Sequence, residues 1–353
     1  MVETPPVQEV AGELPGFADI ISPGSCDAIH VKLKSRMRYY FKKIGLLLAL
    51  LAFSAPAFAG WRDLANLPAT VSDAVAAAVD DGLYVMSGAP GRGLRQFFEF
   101  YDIKNDGWRP LTPMPVSLWR FSLTAGNGQL FVTGGRDQAT GDMSPSVWMY
   151  TPQNAIWVEL PALPRARAGH ASFFADGRIY LIGGVGQKSD RVLCYISRLG
   201  RWEIVGEAMP VPVANAAWTK KGDLLIVAGG VRVDGRDAKT VQAFNIKTLK
   251  WSRLVELPQA SSGGALGVVN GALHYAGGFS QSTQKVLSRH VRYSDKGWSD
   301  RVAMPQGRHQ MAYASGGAQF FIIGGALGGG FYSLFTGSNR AHLFTTDTNT
   351  IGE

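Results

Sequence analysis

The sequence predicts an all-β protein, a six-bladed propeller closed by its N-terminal strand, and three observations predict it. A Gly-Gly pair ending a short apolar strand recurs at Ser87-Gly88 (a degenerate copy), Gly134-Gly135, Gly183-Gly184, Gly229-Gly230, Gly277-Gly278 and Gly324-Gly325. Measured on the second residue, the steps are 47, 49, 46, 48 and 47. Tryptophans Trp61, Trp108, Trp157, Trp202, Trp251 and Trp298 keep the same period, stepping by 47, 49, 45, 49 and 47. The third observation lies at the ends of the array. Trp61-Arg-Asp-Leu64 is a tryptophan strand with no blade before it, and the strand near Ala341–Thr345 has no tryptophan strand after it. Units of this length cannot bury both faces of a sheet alone and stack into a ring. Pairing the first strand with the last leaves no free edge.

Each element of a unit has its own signal. In the third unit, two apolar strands flank Asp176-Gly177, a two-residue hairpin turn. Val192–Ile196 is the third strand and Trp202–Val205 the fourth. The glycines end the second strand where a side chain would clash near the crowded axis. The tryptophan is expected to wedge between neighbouring blades. Cys194 falls on an inward-facing strand position and reads as a buried core residue. With Cys26 removed in processing, no intramolecular disulfide is expected.

The first residues stand apart from the repeats. Met37 to Lys43 is basic, Ile44 to Phe53 is apolar, and Ala57-Phe58-Ala59 presents small residues to a signal peptidase. Residues 37–59 therefore read as a signal peptide cleaved before Gly60, the apolar run being too short for a membrane-spanning helix. Residues 1–36 read as a disordered or mis-assigned leader, with Met37 as the true start, and residues 60–353 as the propeller. This predicts a periplasmic or secreted protein without a stable membrane anchor. Residues 60–353 carry 29 Lys+Arg against 22 Asp+Glu, that is 35 less 6 against 27 less 5. A net charge of +7 suits anionic ligands and solubility alike. Basic runs interleaved with aromatics are missing, so no nucleic-acid partner is expected.

Function must then reside in loops that converge on the channel. Sixteen residues before the first glycine of the pair stand Arg167 and Arg308, with His170 and Arg120 close behind in their blades. After the glycines come Arg92, Arg136, Arg232 and Arg236, with Asp137, Asp234 and Asp237 in the same loops. Guanidinium groups converging on one axis call for an anion or carboxylates between them, and they match a carboxylate in bidentate fashion. No metal-ligand spacing, nucleophile elbow or phosphate loop appears, so neither metal nor cofactor is expected.

The run Pro164 to Gly184, together with Gln306-Gly-Arg-His309 before Phe320–Gly325, resembles the kelch-repeat superfamily. Within it, the chain is most similar to the secreted bacterial sialic acid mutarotases, the N-acetylneuraminate epimerases. That resemblance implies a kelch propeller that interconverts the anomers of a free acidic sugar such as N-acetylneuraminate. The chemistry needs a base for the anomeric hydroxyl, an acid for the ring oxygen and cations for the carboxylate. The resemblance places a catalytic glutamate after a glycine of blade 4 and an arginine six residues on. Here those positions are Gly230 and Arg236, so the glutamate is missing. Proton transfer then falls to Asp234, Asp237 or His170, and substrate binding to Arg167, Arg236, Arg308 and Arg136. A galactose-oxidase-like enzyme would need copper ligands and a Tyr–Cys pair, for which no convincing set exists. The alternative is a non-catalytic propeller binding a glycan or a protein partner, for which Trp119, Trp148 and Phe331 are surface aromatics near loop ends.

Overall fold

The computed structural model describes residues 60–88 and 96–346. The leader, the signal peptide, Cys26 and Arg92 lie outside these residues. Six four-stranded antiparallel sheets follow one another, and we letter their strands a to d from the channel outward. Blade 1 comprises Ala74–Val79, Gly82–Ser87, Phe97–Asp102 and Gly107–Pro110; blade 2 comprises Ser122–Gly126, Gln129–Thr133, Val147–Thr151 and Ile156–Leu160. Blade 3 comprises Ala171–Ala175, Arg178–Ile182, Val192–Ile196 and Arg201–Val205; blade 4 comprises Ala217–Lys221, Leu224–Ala228, Val241–Asn245 and Lys250–Leu254. Blade 5 comprises Ala265–Val269, Ala272–Ala276, His290–Ser294 and Gly297–Arg301. Blade 6 takes strands a to c from Ala312–Gly316, Gln319–Ile323 and Ala341–Thr345, and strand d from Gly60–Asp63. The closing register runs from Gly60 opposite Thr345 to Asp63 opposite His342. Among the described residues, no helix is long and apolar enough to cross a membrane.

The hairpins form where the sequence signals them. Asp176 and Gly177 both have positive φ, 49° and 70°, the conformation a two-residue turn between twisted strands requires. Cys194 is a free, fully buried thiol in the sheet core. Burial is greatest on strands b, which are covered by neighbouring blades on both faces. Strands d are half-exposed.

The repeat markers join blades to one another. The N–H of the second glycine donates to a carbonyl of the next blade: Gly135 to Arg167 (2.9 Å), Gly184 to Val213 (2.8 Å), Gly230 to Ser261 (2.9 Å), Gly278 to Arg308 (3.0 Å) and Gly325 to Val71 (3.0 Å). A Cβ on the first glycine would meet that same oxygen, at 2.3 Å for Gly134 and 2.5 Å for Gly183 and Gly229. The glycines are thus required by the neighbouring blade's backbone. Each strand-d tryptophan likewise reaches the blade before it. Its indole N–H donates to a backbone carbonyl: Trp61 to Val302, Trp108 to Ala65, Trp157 to Thr112, Trp202 to Pro161, Trp251 to Glu207 and Trp298 to Val255, all at 2.9–3.1 Å. The ring packs on an aromatic of its own strand c, as Trp202 does on Tyr195 at 5.2 Å. The wedge is therefore also a hydrogen-bonded tie.

Gly229 and Gly222 separate these effects, since both have positive φ but only Gly229 is crowded. Gly222→Ala is expected to cost about 1 kcal/mol from the backbone alone. Gly229→Ala should cost on the order of 3 kcal/mol, because the interblade carbonyl must also move. Urea unfolding of the two variants measures the difference.

Candidate functional site

The channel end at which strands a begin is built from equivalent residues of all six blades. Asp73, Arg120, Gly169, Asn215, Gly263 and Gln310 each precede strand a, and each has φ between 49° and 64°. Their backbones form a belt: Gly169 N–H donates to Arg120, Asn215 to Gly169, Gly263 to Asn215 and Gln310 to Gly263, all at 2.7–2.8 Å. The belt turns an acid, a guanidinium and two amides toward one mouth.

Asp73 and Arg120 face each other there, Nε to Oδ2 at 3.8 Å, with side chains 9% and 31% exposed. That separation is an ion pair but too long for a hydrogen bond, and the Arg120 Nε–H has no hydrogen-bond acceptor. Burial holds the Asp73 carboxyl above the usual carboxylate range, against the pull of Arg120 and His309. The Arg120 guanidinium lies over the Trp119 ring at 4.9 Å, and that of Arg136 lies 6.0 Å from the same ring. Trp119 and Arg136 are cross-strand partners in a short rim ladder, Leu118–Trp119 against Arg136–Asp137. A half-buried indole close to two cations is thereby fixed by backbone pairing.

The arginines expected to grip a carboxylate are placed otherwise. Arg167 is 1% exposed; Nη1 donates to Gly183 O, and Nη2 donates to Lys188 O and Arg191 O. Arg308 is fully buried and donates to Gly324 O, Arg340 O and His342 Nδ1. Burial pulls both down to about 10, which leaves them cationic at neutral pH. Each cation is solvated by carbonyls of its own blade's strand b–c loop. Neither therefore reaches the channel, and the structure does not bring Arg167, Arg236 and Arg308 together on one ligand. Arg236 is exposed in the loop of blade 4, where Asp234 accepts its backbone N–H and pairs with Arg232 at 3.3 Å. Asp237 Oδ2 accepts the N–H of Gln281 in blade 5 at 2.6 Å. His170 is buried with Nε2 on Thr133 Oγ1 at 2.9 Å, and burial beside Arg167 drives its imidazole well below the ordinary range. It stays neutral. Arg136 remains at the mouth, with Nη1 on Gly141 O.

Of the surface aromatics, Trp119 lies at the mouth. Trp148 packs half-buried within blade 2, with an indole N–H that has no partner. The side chain of Phe331 lies outside the described part. Asp73 escaped sequence reading because blade 1 carries the degenerate glycine pair, which blurs its alignment. The usable signal was its place fourteen residues before Ser87, matching Arg120 before Gly134. Among the described residues, no cluster of His, Cys, Asp and Glu could hold a metal ion.

Six four-stranded blades, ring closure by the first strand and glycine pairs clamping each next blade define a β-propeller of the kelch type. Residues 120–325 match the KLHDC2/KLHL20/DRC7 Kelch-repeats domain, more than half of the chain, and the protein belongs to this kelch-repeat family. It is similar to Kelch-like protein 40 of Xenopus laevis, 29% identical over 205 residues that are 57% of this chain and 33% of that protein. It is also similar to Kelch-like protein 41a of Danio rerio, 26% identical over 250 residues, 67% of this chain and 40% of that one. The chain thus spans between a third and two-fifths of the length of these relatives. The solved structure of YjhT shares the fold with a TM-score of 0.71 at 20% identity, covering 81% of this chain and 98% of that one.

Two outcomes follow from the buried cations and imidazoles. Arg308→Met should cost about 1–3 kcal/mol for each carbonyl left bare, measured by urea unfolding. Burial lowers His274 to about 3, and His290 and His342 to about 4, from 6.5. The unfolded chain therefore takes up these protons first. Stability is full above about pH 6.5 and falls as pH drops toward 4, by up to about 1.4 kcal/mol per pH unit per histidine. Denaturant titrations at pH 7 and pH 5 test the slope.

Proposed function

We propose that this kelch propeller is a binding module for an acidic sugar or glycan, held at the channel mouth by Trp119, Arg120 and Arg136. The observation that carries this reading is the indole flanked by two guanidinium groups, one of which keeps a donor without an acceptor. An aromatic face covers the apolar C–H surface of a pyranose, and a guanidinium pairs a carboxylate in planar fashion. The net positive charge agrees with an anionic ligand. The candidate groups Asp234, Asp237 and His170 are held by backbone and neighbouring side chains, which favours binding over proton transfer.

A second reading, mutarotation of the acidic sugar, is favoured by Asp73. Its carboxyl sits above the usual range within the same mouth, beside the cation that would hold the substrate. In that reading Asp73 relays a proton to or from the anomeric hydroxyl or the ring oxygen while Arg120 fixes the carboxylate. Export to the periplasm belongs to this proposal as well, since free acidic sugars would be met there.

Proton NMR with freshly dissolved α-N-acetylneuraminate distinguishes the readings. Saturable line broadening with unchanged anomer exchange, weakened about tenfold or more in Arg120→Ala, supports the binding module. Accelerated exchange that collapses in Asp73→Asn assigns the mutarotase. Neither broadening nor acceleration would remove this ligand class from the site.

A further inference from the structure

The channel holds a second feature, far from the mouth in character. Tyr313 of blade 6 reaches past blade 5 to blade 4, where its hydroxyl accepts the Trp218 N–H at 2.8 Å and donates to the Trp218 carbonyl at 3.1 Å. Blade 5 lies close against blade 6 beside it, since a Cβ on Gly267 would lie 2.8 Å from Ser315 and Phe320. Trp218 meets Phe173 of blade 3 edge-to-face at 5.2 Å and Tyr313 at 6.1 Å. An aromatic brace therefore crosses the channel near the start of strands a.

Beyond the brace lies a cavity of about 240 Å³, lined by the second to fifth residues of strands a. It exists because blade 1 offers only Ala76, Ala77 and Ala78 opposite the aromatics. Exposure increases along its walls away from the brace. Leu123 and Leu266 are buried at the inner level, whereas Ala78 and Lys220 are exposed at the outer one. The hollow thus opens at the end bearing the a–b hairpins, opposite the mouth built by the belt. Its walls are mostly apolar, with the hydroxyl residues Thr124, Thr219 and Ser315 and one ammonium, Lys220. The nearby Asp176 pairs with Lys247, and no ion pair to Lys220 occurs among the described residues.

We propose that this hollow binds a small cyclic or aromatic monocarboxylate, its ring against Trp218 and Phe173 and its carboxylate at the rim on Lys220. The volume is below that of a drug-sized site, so one or two fused rings fill it. An apolar body gains from leaving water against the alanine and aromatic walls. A single cation at the open end fixes one orientation.

Indole-3-acetate, titrated into the full chain and followed by calorimetry, tests the proposal. Saturable binding is expected, weakened about tenfold in Lys220→Gln and lost in Ala78→Leu, a surface change that fills the hollow without disturbing the core. Trp119→Ala should leave it unchanged, which separates this site from the mouth. Thermal unfolding confirms that each variant is folded. No saturable binding, or binding indifferent to both Lys220→Gln and Ala78→Leu, would overturn it.

Discussion

The hydrogen bond from the second glycine of the pair to a carbonyl of the next blade, made in blades 2 to 6, is the constraint on which the rest depends. It sets how closely blades approach and leaves no room for a Cβ at the first glycine. In blades 3 and 6 the accepting residue is itself an arginine, Arg167 or Arg308. One residue then serves two directions: its carbonyl takes the bond from the preceding blade, and its guanidinium gathers the carbonyls of its own loop. Burying a cation without a carboxylate carries a desolvation cost that the carbonyl dipoles offset. The Arg308 shell continues outward. Its Nη2 donates to His342 Nδ1, so the histidine proton sits on Nε2 and faces Asp63 at 3.0 Å on the closing strand.

With the blades fixed this way, the two ends of the channel acquire opposite chemistry from the same strands. The residues before strand a are held in left-handed backbone, which favours Asn, Asp and Gly, and they present polar groups. The residues within strand a are apolar or small, and three aromatics from blades 3, 4 and 6 meet across the axis. Site chemistry is therefore a matter of which blade carries which substitution on a shared frame. Arg120 and Trp119 in blade 2, Asp73 in blade 1 and the alanines of blade 1 are such substitutions.

The architecture was legible because its markers are periodic and each has a steric or hydrogen-bonding reason to persist. Blade number, the hairpin at Asp176-Gly177, the buried Cys194 and closure through Gly60–Asp63 all follow from that. The site was less legible. Arg167 and Arg308 stand at positions that converge near the axis, but spacing along a chain does not say which way a long side chain turns. Their guanidinium groups turn back into the loops because unsatisfied carbonyls there outweigh solvent. Asp73 and the Trp119 platform depend on contacts between different blades, which no single repeat displays. Spacing alone points to a clearance near the axis at the glycine pair, whereas the neighbouring carbonyl is what demands it.

Closure through a strand of four residues has a consequence for assembly. Strand d of blade 6 is made first and finds its partner only after Ala341–Thr345 exists, a pairing across most of the chain. Contacts of such sequence separation form late, because the intervening chain must already be ordered before they are favourable. During synthesis the five complete blades can fold in turn, while the seam between the first and last blades stays open. The finished ring is thus zipped last inside blade 6, where strand d, carried in from the far end of the repeats, meets strand c.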